Sequence, residues 1–332
     1  MASGCHVILA ASGRHALILR HEFPTVEILP LRGYELSYSS SGRLMPLKIF
    51  FQVPKILTAI KRENQWLATQ VAQRKIDIVI ADCRFGLYNK EAFCVLMTHQ
   101  LTIKSPFGKW MERLLRKWNY NFINKFNECW VPDFSGNKNL AGELSHPPVM
   151  PQSRTKYIGW LSRINAAGDV ERKTYDVAVI LSGPEPQRTL LENIVLKELS
   201  AYSGKAALVR GLPGETGNIS LPAVTIFNHL SSDELSRLMM SSALIISRSG
   251  YTTVMDLVKI RKKSILIPTP GQPEQEYLGR YLMQQKLCVC MKQDEFSLAG
   301  ALEMAAEFSY EDMSGFDMEY YKQAIINTLT NY

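Results

Sequence analysis

The sequence predicts an α/β protein made of two successive units, each a parallel sheet flanked by helices. Three observations carry this reading. Strand-length apolar runs, such as residues 243–247, alternate with longer helical patterns, as buried parallel strands do. The 332-residue length fits two domains of about 150 residues each. A proline-rich stretch at 146–154 and a polar one at 165–173 interrupt the alternation, which places the units at residues 1–155 and 156–332.

In the first unit the apolar runs predict strands at 6–10, 26–31, 76–81, 94–99 and 128–132. Helical patterns cover 46–73, with a break expected at Pro54, and 107–125. The second unit repeats the logic with strands at 176–182, 206–210, 224–227, 243–247, 264–268 and 288–291, and helices between them. One helix opens at Ser231-Ser-Asp-Glu234, a capping box in which serine accepts from a free backbone N–H and glutamate reaches back. No tandem repeat or low-complexity tract is present, which argues against a solenoid.

Composition excludes other classes. With 46% hydrophobic and 21% charged residues, the chain is not disordered, collagenous or a coiled coil. A chain of this length buries enough apolar surface to stand without staples. The six cysteines, Cys5, Cys83, Cys94, Cys129, Cys288 and Cys290, form no C-x-x-C pair, so a reduced, cytoplasmic protein is expected. No run reaches the roughly 18 apolar residues of a membrane span, and no apolar region precedes Cys5 as a lipoprotein signal requires. Residues 1–160 hold 21 Lys and Arg against 11 Asp and Glu, whereas the rest hold 17 against 20. The basic first unit suits a polyanionic partner such as anionic lipid; no nucleic-acid module motif appears, and no nucleic acid is expected.

The richest segment runs from residue 243 to 282. A buried strand ends at Ser247, Gly250 permits a tight turn, and Thr252 and Thr253 begin a helix whose free N–H groups can hold phosphate. Asp256 follows Thr253 by about one helical turn, so its carboxylate shares that face and can accept hydrogen bonds from ribose hydroxyls. The plain alternative makes Thr252 a cap and Asp256 a dipole partner. After the strand at 264–268, Thr269-Pro-Gly-Gln-Pro-Glu-Gln-Glu276 delivers Gln275 and Glu276 to another helix start. Both loops follow carboxyl ends of parallel strands, where open α/β sheets bind ligands.

These residues resemble the carboxyl-terminal domain of nucleotide-sugar glycosyltransferases with the GT-B fold, in which two Rossmann-like domains face a cleft. The likeness is to glycosyltransferase family 28, which includes the N-acetylglucosaminyltransferase that completes the lipid-linked peptidoglycan precursor, and to a bacterial group related to it. The family pattern S-R-x-G-x-x-T-x-x-E is matched by Ser247-Arg-Ser-Gly-Tyr-Thr-Thr-Val-Met-Asp256. The resemblance implies that Gly250, Tyr251 and Thr253 contact donor phosphates, with Ser249 and Thr252 beside them, and that Asp256, where the family has Glu, binds ribose. Gln275 matches the first of two paired glutamines that follow, and Glu276 replaces the second. Leu181-Ser-Gly-Pro-Glu-Pro-Gln-Arg188 is placed like the family's first glycine-rich donor loop, which brings in Ser182, Gly183 and Arg188. Phe227-Asn-His-Leu230 is placed like the loop that packs on the base and adds Asn228 and His229. Arg188, Arg210 and Arg248 are candidate charge partners of the leaving diphosphate, or else structural ion-pair residues.

The likeness extends, over roughly residues 6 to 290, to Asp82-Cys-Arg-Phe-Gly-Leu-Tyr88 and Thr98-His-Gln-Leu101 in the first unit. Proteins of this kind usually begin with a strand and a G-x-G-H-like loop facing the acceptor. This sequence starts at what looks like their second strand, so that strand and loop are expected to be missing. The candidate bases that remain are His99 and Asp82, both at predicted carboxyl strand ends; the alternative is a buried structural histidine and an Asp82–Arg84 surface pair. No H-x-x-H, D-x-D or paired-cysteine motif is present, so no metal and no cofactor are expected.

Residues 104–126 carry six basic residues and one acid, with Trp110, Trp118, Tyr120 and Phe122 interleaved, and residues 43–62 are similar in character. Such a helix lies on an anionic membrane, or else buries its aromatics in the core. The resemblance thus implies inverting, metal-independent transfer of a sugar from a nucleotide diphosphate sugar, UDP-linked, to a glycan or lipid-linked acceptor at the inner face of the cell membrane. Two alternatives stand beside it: a noncatalytic nucleotide-sugar binding subunit that needs a partner chain, and an epimerase or hydrolase of the same fold.

Overall fold

The computed structural model of the chain describes residues 4–34, 51–164, 173–217, 219–311 and 317–330. In the first domain β1 (Ile8–Ala11), α1 (Gly13–Glu22) and β2 (Glu27–Pro30) form a β-α-β unit whose two strands pair in parallel. Helix α2 (Val53–Arg74) carries Pro54 in its first turn instead of breaking there. The first turn has no use for the N–H that proline lacks, and the fixed φ suits helix entry. The predicted residues 46–50 lie outside the described ones.

A second parallel sheet follows, in the order β3 (Ile78–Asp82), β4 (Phe93–Met97), β5 (Glu128–Val131) and β6 (Arg154–Tyr157), with α3 (Lys109–Ile123) crossing from β4 to β5. The hydropathy pattern gives no sign of β6, because its first three residues, Arg154, Thr155 and Lys156, are polar. It is an edge strand, held to β5 by its ladder and by Lys156 Nζ, 2.6 Å from the buried Glu128 carboxylate.

The second domain runs β7 (Tyr175–Ile180), α4 (Gln187–Ser200), β8 (Ala206–Val209), β9 (Val224–Phe227), α5 (Ser232–Met240), β10 (Ser242–Ser247), α6 (Tyr251–Lys259), β11 (Ser264–Leu266), α7 (Pro273–Gln284) and β12 (Val289–Cys290). All six strands are parallel, in the order β12-β11-β10-β7-β8-β9. The strand order reverses between β7 and β10, which opens a crevice at their carboxyl ends. Alternating residues face opposite layers: Ala178, Ile180, Ala207, Val209 and Ile245 enter one core, and Val177, Val179, Leu208, Leu244 and Ile246 the other. The expected capping box opens α5, with Ser231 N–H donating to Glu234 Oε2 at 2.9 Å.

Helices α8 (Leu298–Glu307) and α9 (Tyr320–Leu329) complete the chain. Helix α9 returns to the first domain, where Ala324 and Ile325 pack on Val95, Trp130 and Ile158.

The domains share a core organised by Asp133, which follows β5 and is fully buried. Its Oδ1 accepts from the N–H groups of Phe134 and Leu140 and from Trp160 Nε1–H, at 2.8 to 3.0 Å. Its Oδ2 accepts from Ala141 N–H and Ser145 Oγ–H. The loop so held inserts Leu140, Ala141 and Leu144 among Leu278, Leu282 and Tyr251 of the second domain. Replacing Asp133 with Ala strands buried donors and is expected to cost about 3 kcal/mol or more in urea unfolding; a loss below about 1 kcal/mol would contradict this role.

Candidate active site

The carboxyl ends of the two sheets meet across a cleft. From the first domain come Asp82, at the end of β3, and His99 and Gln100, just after β4. The His99 ring stacks on Tyr251, the first residue of α6, with centroids 4.2 Å apart and planes 13° from parallel. Tyr251 is itself buried, and its hydroxyl donates across the interface to Pro132 O at 2.8 Å. His99 Nε2 lies 2.7 Å from Glu274 Oε1, and Gln100 Nε2 donates to Glu274 Oε2 at 2.5 Å. Glu274 has no distinct signal in the sequence, because an acid in a helix's first turn reads as a dipole partner.

Asp82 is open to the cleft yet hemmed in by protein. Desolvation pushes its carboxyl above the usual range, opposed by the Cys83 thiol and by His99. Arg84 does not pair with Asp82. It lies 2.5 Å from Glu63 and donates to Arg32 O.

Across the cleft, Gly250 is the N-cap of α6, and no side-chain cap hydrogen bond is made there. Gly250 has φ −71°, open to any residue. A Cβ there would meet nothing closer than Thr253 Oγ1 at 4.0 Å. Neither backbone strain nor packing requires glycine, so the space in front of α6 is a cradle that a side chain would fill. Gly183, by contrast, sits at φ +102°, where glycine is needed for the backbone itself.

Two residues before Gly250, Arg248 is 1% exposed. Its guanidinium donates to the carbonyls of Gln187, Ile267 and Pro268 and to Gln293 Oε1, all neutral acceptors. No carboxylate pairs with it among the described residues, and burial lowers its pKa to about 10. Its charge is therefore met by neutral dipoles alone.

The remaining sequence-predicted donor residues are placed as follows. Ser249 is buried and donates to Gln275 O; Thr252 is exposed at the start of α6, with Thr253 half-buried after it. Ser182 is exposed in the loop after β7. Arg188 is 5% exposed and bound to Glu185 at 2.6 Å and Glu192 at 3.0 Å. Arg210 takes the other Glu192 oxygen at 2.5 Å and donates to Asn228 Oδ1. Asp256 accepts from Ser162 Oγ–H at 2.7 Å and faces Arg163, with burial raising its pKa. Gln275 and Glu276 fold back to accept from Thr269 N–H and Gly271 N–H of their own loop. His229 is exposed beside Arg163, and desolvation lowers its pKa.

Among the described residues no group of His, Cys, Asp or Glu is arranged to hold a metal ion, and no helix is long and apolar enough to cross a membrane. Helix α3 splits its aromatics between the two expected environments. Phe122 is buried, whereas Trp110 and Leu114, with Phe107 just ahead, are more than half exposed. Lys109, Arg113 and Lys117 are exposed on the same helix. Asn119 Nδ2 donates to Gln100 O at 2.9 Å and ties α3 to the cleft.

Residues 215–314 match the glycosyltransferase family 28 C-terminal domain. No curated protein matches the chain. Among solved structures, the glycotransferase of kitacinnamycin superposes with a TM-score of 0.59 at 15% identity, covering 92% of this chain and 84% of its own. The spinosyn forosaminyltransferase SpnP gives 0.55 at 12% identity, over 98% and 87%. MurG of Acinetobacter baumannii gives 0.52 at 11%, over 100% and 92%. The chain thus has the GT-B fold, and residues 215–314 of its second domain match a glycosyltransferase domain model.

The Glu192 bridge makes a testable point about its two arginines. Glu192→Ala should cost about 3 kcal/mol in chemical unfolding, because Arg210 loses its carboxylate and Arg188 keeps only Glu185; no loss of stability would show that neither arginine depends on it.

Proposed function

We propose that this chain transfers a sugar from a UDP-linked donor to a glycan or lipid-linked acceptor, with inversion and without a metal. The observation that carries the reading is the open cradle at Gly250, in front of an uncapped helix N-terminus backed by Arg248. Such a place suits a diphosphate: the N–H groups of Gly250 to Thr253 donate to its oxygens, and the helix dipole and guanidinium stabilise charge that grows as the bond to the sugar breaks.

His99 is the acceptor-side base. The acceptor hydroxyl attacks the anomeric carbon as the carbon–oxygen bond to diphosphate breaks. Its proton passes to the imidazole, and the nucleoside diphosphate leaves with the bonding pair. Asp82, at the adjacent strand end, supports the imidazolium that forms. Asp256 serves ribose once the ligand competes with Ser162 and Arg163 for its oxygens, and Arg188 and Arg210 shape the donor loop through Glu192.

The exposed face of α3 is the membrane contact. Trp110 and Leu114 are interfacial anchors and the surrounding lysines and arginines meet anionic headgroups, which brings a lipid-linked acceptor to the cleft. One observation favours the second reading, a subunit completed by a partner chain: the first-domain strands fall into two separate sheets, and β1 and β3 each pair on one edge only among the described residues.

Calorimetric titration tests the donor site. UDP should bind saturably and better than GDP or ADP. Gly250→Ala should weaken it about tenfold while changing stability by no more than about 1 kcal/mol; absence of UDP binding by the folded chain would end the proposal. On vesicles containing phosphatidylglycerol, the double variant Trp110→Glu with Leu114→Glu should lose most cosedimentation, whereas equal binding by variant and parent would remove α3 from the account.

A further inference from the structure

We propose that Glu274, from the second domain, is the positioning residue of His99, so that the base acquires its working orientation and tautomer only when the two domains are closed. This rests on His99 acting as the base in the reading above.

Four contacts surround the imidazole or its partner, and each crosses between domains. Glu274 Oε1 lies 2.7 Å from Nε2. Gln100 holds the second carboxylate oxygen at 2.5 Å, so Glu274 is fixed from two sides by neighbouring residues of one first-domain loop. Tyr251 stacks on the ring at 4.2 Å, which sets its plane. Tyr251 is in turn anchored to Pro132 O.

The consequence is chemical. A carboxylate only accepts, so in neutral His99 the proton sits on Nε2 and points at Glu274. The lone pair is then on Nδ1, which has no hydrogen-bond partner among the described residues. Nδ1 is therefore the atom that takes the acceptor proton, and the resulting imidazolium keeps its second N–H on a carboxylate already in place. This is the orienting logic of a carboxylate–histidine pair, here divided between two domains.

A helix-dipole role alone would leave Glu274 pointing along α7, with no reason to meet His99 and Gln100. Its side chain is 31% exposed and could have turned to solvent. The imidazole is thus oriented by groups of the other domain, and any displacement of α7 from the first-domain loop would remove its carboxylate.

The test uses the full chain and the isosteric variant Glu274→Gln, with Gln100→Ala as a second perturbation that leaves the carboxylate in place. Steady-state release of UDP from a UDP-sugar with acceptor should show kcat reduced at least about tenfold in Glu274→Gln, with the donor KM within about threefold, and a smaller loss in Gln100→Ala. Glu274→Asp should recover part of the loss. Independently of turnover, nitrogen chemical shifts of His99 should report an Nε2–H tautomer in the parent and a mixture in Glu274→Ala. Unchanged kcat, a faster variant, or an identical tautomer in parent and Glu274→Ala would each overturn the proposal. A parent that binds no UDP would instead overturn the donor-site reading, and the tautomer comparison would still decide whether Glu274 sets the imidazole.

Discussion

The buried carboxylate of Asp133 is the constraint on which the geometry of the cleft depends. Five donors from three separate stretches of chain converge on its two oxygens: its own successor, the loop at 140–145 and Trp160 in the connection between domains. A charge in such a place persists only because every lone-pair direction it needs is met by a donor. The same arrangement forces the 140–145 loop against α7, where Glu143 N–H donates to Tyr277 and Asn139 accepts from Tyr281. Gly142 fits there at φ +51° with a tyrosine hydroxyl so close that a Cβ would lie 2.3 Å from it. Domain closure and the local fold after β5 are therefore one problem with one solution.

Two kinds of buried arginine stand on the second domain's side of that cleft. Arg188 and Arg210 are neutralised by Glu192 and contribute shape more than field. Arg248 is surrounded by neutral oxygens, with no carboxylate partner among the described residues. Burying such a cation without a counter-ion costs free energy that neutral acceptors offset only in part.

The central strands β4, β5, β8, β10 and β11 were legible because they are largely buried on both faces and appear as unbroken apolar runs; the turn at Gly250 was legible from Ser247, Gly250 and Thr253, since strand, glycine and helix start follow one another in the chain. The polar edge strand at 154–157 was not, because its stability comes from pairing and from Glu128 rather than from its own hydropathy. Pro54 shows the same limit at one residue: a proline signals an irregularity, and only context says whether a helix ends or begins there. The partners of Arg188, Asp256 and His99 lie 4, 94 and 175 residues away. Of these only the first is within reach of a local pattern. Residue type and strand-end position say which end of the sheets these side chains occupy, while the pairing itself is a property of the fold.

The most direct measurement is a crystal structure of the chain with UDP at saturating concentration. The account predicts the diphosphate in front of α6, its oxygens within hydrogen-bonding distance of the N–H groups from Gly250 to Thr253, with the uridine lying toward the loop after β9. Clear density for UDP elsewhere, or an empty cradle in crystals that remain ordered across the cleft, would contradict it.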